Sequence, residues 1–198
     1  MGTKRRKQSH RAGSSGGGSR RAYIIVGLIA AIFLAGFAAL VIVDARQKAA
    51  STPPGGVRSY DVGPPGQHTE GNVDYAQTPP AGGAHDPVWQ NCGFYTEPVR
   101  DENAVHSLEH GAVWITYLPS LPQDQVDRLR NLSQSNNYVL VSPYPDQGSP
   151  VVATAWGKQL ALQSADDPDL ERFIGAYEQG PQTPEPGAAC SGGTGNPA

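Results

Sequence analysis

The residues with the clearest chemistry are His106, Glu109 and His110, in the stretch 103–111 of sequence NAVHSLEHG. Asn103 is a favourable helix N-cap, and Gly111 is a favourable residue just past a helix end. Between them there is room for about two helical turns. On such a helix His106 and His110, four positions apart, share a face with Cβ atoms roughly 5–6 Å apart. Two imidazoles there can meet on one metal ion. In a strand the same pair would stand about 13 Å apart and could not. The expectation is a helix carrying His106 and His110 as metal ligands. Glu109 is expected to accept from an imidazole N–H instead of binding the ion, because adjacent helix positions point about 100° apart.

Two more histidines, His85 and His68, lie upstream in Pro/Gly-rich sequence, so His85 is expected as third ligand and His68 as the next candidate. Neutral imidazole suits copper and zinc. The single methionine is Met1, which excludes a thioether copper(I) site in the rest of the chain. The expected cofactor is one ion, copper first and zinc second, from the divalent affinity order. A lone histidine is more often a hydrogen-bonding residue. The alternative is therefore a metal-free interaction subunit of a cell-envelope complex, its His–Glu cluster a buried polar network. His-x-x-Glu-His also matches the inverted zinc-peptidase signature. That chemistry needs a further ligand far downstream and a large cleft, and only 87 residues follow Gly111. No Ser/His/Asp nucleophile context is present, and the Gly runs lack the Lys-Ser/Thr of a phosphate loop. No catalytic residue is assigned.

The elements that would position these groups follow an N-terminal anchor. Residues 1–22 hold seven of the fifteen Lys and Arg and no acid, as expected of a basic disordered tail. Residues 23–43 are uncharged, long enough to span a hydrocarbon core of about 30 Å, and read as an uncleaved signal-anchor helix. The positive-inside rule then predicts a single-pass protein of the cell membrane, its N-terminus cytoplasmic and its C-terminal domain extracytoplasmic. Residues 44–56 read as a Pro/Gly linker, 57–183 as the folded domain and 184–198 as a flexible tail. From residue 49 onward six Lys/Arg face seventeen Asp/Glu, a net of −11. That balance argues against nucleic acid as a partner. Cys92 and Cys190 are the only cysteines, and on the oxidising side they are expected to form a disulfide. The other assignment is Cys92 as a metal ligand.

Within the domain, strands are expected at 58–62, 72–75, 112–118, 138–142 and 151–156, with 157–163 extending the sheet. Ser120 and Gln123 form a capping-box pattern for a helix to about 133. Asp167 with Pro168 opens another helix, with Leu170, Phe173, Ile174 and Tyr177 as its apolar stripe. The class is α+β: a small, largely antiparallel sheet with two packed helices and a short central helix, preceded by a single transmembrane helix.

Four motifs carry a resemblance: His68 followed by Val73 and Tyr75, Pro79-Pro80 through His85, Gly93-Phe94-Tyr95, and the V-H-x-L-E-H-G element at 105–111. Together they resemble a bacterial family of membrane-anchored extracytoplasmic domains of unknown function. The last element is the specific one. The chain departs from the pattern at Ala81-Gly-Gly-Ala84, where the family shows Ser before the Gly. The resemblance implies a location and a topology, but no activity.

Overall fold

The sequence VWITY at 113–117 is apolar or β-branched throughout, and strand β3 (Val113–Tyr117) is buried on both faces. Successive side chains of a strand point to opposite sides. Val113, Ile115 and Tyr117 therefore join one core, and Trp114 joins another. The rest of the domain is layered on these two faces.

The structure, a computed structural model, describes residues 23–26, 29, 31–32, 34–39 and 52–198. The chain divides into two units, Met1–Arg46 and Gln47–Ala198. In the first unit the described residues are helical. The predicted tail 1–22 lies outside the described residues, as do parts of the predicted span 23–43 and of the linker. Among the described residues no helix is long and apolar enough to cross a membrane.

The second unit is mixed α+β. Besides β3 its strands are β1 (Arg58–Ser59), β2 (Gly93–Phe94), β4 (Val139–Pro143), β5 (Val151–Ala155) and β6 (Lys158–Leu162). They form one six-stranded sheet in the order β1-β6-β5-β3-β4-β2. The β1–β6, β5–β6 and β3–β5 pairs are antiparallel, whereas β3–β4 and β2–β4 are parallel. The sheet is thus mixed, not largely antiparallel. Helix α2 (Gln123–Ser135) connects β3 to β4, and a helical crossover returns the chain in the same direction.

Helices α2 and α3 (Pro168–Tyr177) cover the first face, where Val126, Leu129, Leu170, Phe173 and Ile174 meet Val113 and Ile115. The Asp167 carboxylate caps α3 by accepting from the Asp169 N–H at 2.9 Å, as its sequence predicts. Helix α2 lacks the predicted capping box. Pro122 is its N-cap, and the Gln123 amide donates forward to Asp127. The second face carries α1 (Asp101–Glu109), whose Ala104, Val105 and Leu108 pack with Trp114 and Leu140.

Helix α1 ends as its glycine predicts. Gly111 has φ +93°, a conformation that costs a glycine little. Its N–H donates to Leu108, and the next N–H, of Ala112, donates to Ser107. These two bonds make a Schellman motif. At the other end α1 starts two residues before Asn103. The Asn103 side chain is no cap: its amide donates to the Val88 carbonyl at 2.6 Å.

The expected strand at 72–75 does not form. Cys92 and Cys190 form the predicted disulfide, with Cα atoms 5.3 Å apart. Neither cysteine is free. Segment 184–198, expected to be a loose tail, is bonded to the domain along its length. Glu185 donates to Glu109, Thr194 to Trp89 and Ala198 to Phe94 through their backbone N–H groups. Gly193 lies so close to Trp89 that a Cβ there would collide with the Trp89 backbone and ring.

Candidate metal centre

Eight of the nine residues of α1 are buried, although Glu102, Asn103, His106, Ser107 and Glu109 among them are polar. Burying such groups is costly unless each is paired. One set of partners comes from segment 86–90, which runs along the helix. The Asp86 carbonyl faces His106 Nδ1 at 2.6 Å, Val88 takes the Asn103 amide, and Gln90 takes the Ser107 hydroxyl at 2.7 Å. The other partners lie in the loops that carry His68 and His85.

An isolated parallel bridge joins His68 to His85, with the Thr69 N–H donating to His85 and the His85 N–H to Gln67. This bridge holds the two histidine loops side by side over α1. Glu109 ties them to the helix, accepting the Gly66 N–H on Oε1 at 2.6 Å. Arg100 fixes the outer edge. Its guanidinium pairs with Asp86 and, at 2.9 Å, with Glu102, and it also donates to the Gly71 carbonyl. The Val88 N–H bond, aided by Arg100, holds the Asp86 carboxyl below its ordinary value against the effect of burial.

The result is a compact group. One ligand atom from each of His68, His85, His106 and Glu109 lies within 4.8 Å of the others. Their rings are 4.8–5.0 Å apart between centroids. His85 Nε2 stands 2.9 Å from Glu109 Oε2, and both are fully buried. Yet neither atom has a hydrogen-bond partner, so their approach is close but not aligned as a hydrogen bond.

The outer nitrogens explain this. His85 Nδ1 lies 2.7 Å from the Gly83 carbonyl, and His106 Nδ1 lies against the Asp86 carbonyl. A carbonyl oxygen only accepts, so each Nδ1 carries a hydrogen, and in the neutral form of either ring the lone pair is at Nε2. A lone pair on His85 facing a carboxylate oxygen at this distance is repulsive unless a proton or a metal cation lies between them. Carbonyls anchoring Nδ1–H while Nε2 points inward is the usual arrangement behind metal-bound histidines.

His110, predicted as a ligand beside His106, is not a member of the group. Its Nδ1 faces the Ala189 carbonyl at 2.7 Å and its Nε2 lies 3.6 Å from Glu185 Oε2. The C-terminal segment, held by the disulfide, captures this ring. Glu109, expected only to support an imidazole, takes the place in the group instead. Three positions from His106, it still borders the same helix face. Among the described residues, the group that could hold an ion does not include His110, which the inverted peptidase arrangement needs beside His106. Cys92 is in the disulfide and takes no part.

Burial lowers the His106 pKa from 6.5 to about 4; the Asp86 carbonyl opposes this and the imidazoles of His110, His85 and His68 add to it. The unfolded chain thus takes up a proton near pH 6.5 that the folded, metal-free protein refuses until about pH 4. Stability is then fully present above pH 6.5 and is lost as pH falls toward 4. Unfolding midpoints of the chelator-treated protein at pH 7, 5.5 and 4 should fall in that order. In His106→Gln the same series should be flatter. An equally steep series in the variant would assign the loss to other groups.

The comparisons with known proteins bear on this geometry. Residues 67–192 match the family described as Protein of unknown function (DUF3105). The chain belongs to this family. The match spans both histidine loops, α1 and the disulfide, so the DUF3105 domain is the unit that builds the site. No curated protein and no solved structure matches the chain.

Sequence reasoning missed Asp86, Arg100 and Glu102, which brace the two loops. Arg100 and Glu102 flank the helix start, but Asp86 lies 14 positions before Arg100, so the trio becomes readable only once its loop is known to pack there.

Proposed function

We propose that this DUF3105 domain binds one divalent transition-metal ion through His68, His85, His106 and Glu109, and that it does so outside a membrane to which 23–43 anchors it. The observation that carries the metal reading is the buried meeting of His85 Nε2 with Glu109 Oε2, neither of them aligned with a hydrogen-bond partner, beside two further imidazoles. The donor set is three nitrogens and a carboxylate, which suits copper(II) or zinc. Copper comes first in the affinity order and zinc second. The anchor is supported by the uncharged stretch 23–43 behind a basic tail and by the exposure of Ile24, Ile32, Leu34 and Phe37 on its described helical residues. The disulfide fits an oxidising compartment.

One observation favours the metal-free interaction subunit as second reading. Glu109 Oε1 already accepts the Gly66 N–H, so a protonated His85 could complete the pair as a purely structural network. Titration separates the two. Trp89 lies 5.8 Å from the His106 ring and Trp156 lies 5.9 Å from the His85 ring. Copper(II) added to the chelator-treated chain should quench tryptophan fluorescence with a sharp end-point at one equivalent. Zinc should compete for the same site. Weak quenching without an end-point would leave the structural network as the function of these residues.

A further inference from the structure

The four candidate ligands are not equivalent. The side chains of His85 and Glu109 are 0% and 1% exposed, whereas that of His68 is 44% exposed. His85 and His106 are each fixed at Nδ1 by a backbone carbonyl, and Glu109 is fixed by the Gly66 N–H. Among the described residues no hydrogen bond holds the His68 ring. It rests on His106 by stacking at 5.0 Å, and its Nε2 is 3.9 Å from Glu109 Oε2. Its backbone, in contrast, is tied down through the bridge to His85. His68 is therefore an unanchored ring on a fixed hinge, placed between the buried donors and solvent.

We propose that His68 is the exchangeable ligand of this centre, the position through which the ion enters and leaves. The proposal rests on the metal reading above. His85, His106 and Glu109 form the part that retains the ion. Rotation of the His68 ring opens one coordination position to the outside. The chemical class that takes that position is a neutral nitrogen donor of the imidazole type, from a molecule that hands the ion over or receives it. Transfer then proceeds by replacement of one imidazole by another, with no change in the metal's charge or in the buried donors.

The test uses the full chain in detergent, loaded with one equivalent of copper(II) and mixed with an excess of chelator. Recovery of tryptophan fluorescence reports release. His68→Ala should still bind one ion per chain but release it at least about tenfold faster, given that perturbing groups around a metal typically changes affinity about 10- to 100-fold. Free imidazole should slow release from His68→Ala back toward the wild-type rate, and an unchanged rate in its presence would overturn the proposal. Release from His68→Ala at the wild-type rate would overturn the proposal, and so would a His68→Ala chain that binds no ion. A wild-type chain that takes up no copper(II) would overturn the metal reading itself, which distinguishes that failure from this one.

Discussion

Alanine at His85 or His106 is expected to abolish tight metal binding, whereas alanine at His110 is expected to leave it nearly intact. His85 and His106 each offer a lone pair to the shared point with the opposite nitrogen braced, so loss of either removes a buried donor that no neighbour can replace. Affinity should fall by more than about 100-fold, beyond what disturbing an outer partner of a ligand costs. His110 is already engaged by Ala189 and Glu185. The same contrast should appear in stability. At a metal concentration of about 100 Kd the ion adds about 2.7 kcal/mol to the native state, or roughly 5–10 °C in Tm for a domain of this size. Wild type and His110→Ala should show that shift, and His85→Ala and His106→Ala should not. Should a variant unfold unaided, His106→Gln preserves more of the packing and makes the same comparison. Equal loss in His110→Ala and His106→Ala would restore the simple helix-face pair as the site.

The second large effect concerns Cys92 and Cys190. The bond closes a loop across a sequence separation of 98. In the chain-entropy model this stabilises by up to about 4.7 kcal/mol. The paired variant Cys92→Ser, Cys190→Ser should therefore melt up to about 10–20 °C lower. It should also loosen segment 184–198, which supplies the Ala189 carbonyl to His110 and bonds to Glu109 through Glu185. Hydrogen exchange of the Thr194 and Ala198 amides should speed up in parallel. An unchanged Tm together with unchanged exchange would show that the segment is held by its other contacts alone.

What could be read from the sequence was local. The glycine stop of α1, the Asp167–Pro168 start of α3, the long strands around 113–117, 139–143 and 151–155, and the cysteine pairing all follow from one residue or one period. What could not be read depended on distant chain. Asn103 has the right side chain for a cap, but the Val88 carbonyl, 15 residues away, takes it. Stretch 72–75 alternates like a strand, yet its Val73 N–H donates to the Glu102 carboxylate at 2.8 Å and no strand pairs with it. The parallel pairing of β3 with β4 was implicit in the strand–helix–strand order, because a helical crossover favours it. In the site, spacing alone placed His106 and His110 together. The two rings do stay adjacent, 4.5 Å between centroids, but a carbonyl 79 residues downstream takes His110 Nδ1, its Nε2 faces Glu185, and the group closes on Glu109 instead.

The central claim, that His85, His106 and Glu109 with His68 hold a metal ion, is tested most directly by metal analysis. The full chain should be purified untagged and without added metal, and its content measured by mass spectrometry against protein concentration. The account predicts close to one copper or zinc ion per chain, falling to none in His106→Ala. A wild-type chain that carries no such ion, and takes up neither copper(II) nor zinc when they are supplied, would contradict it.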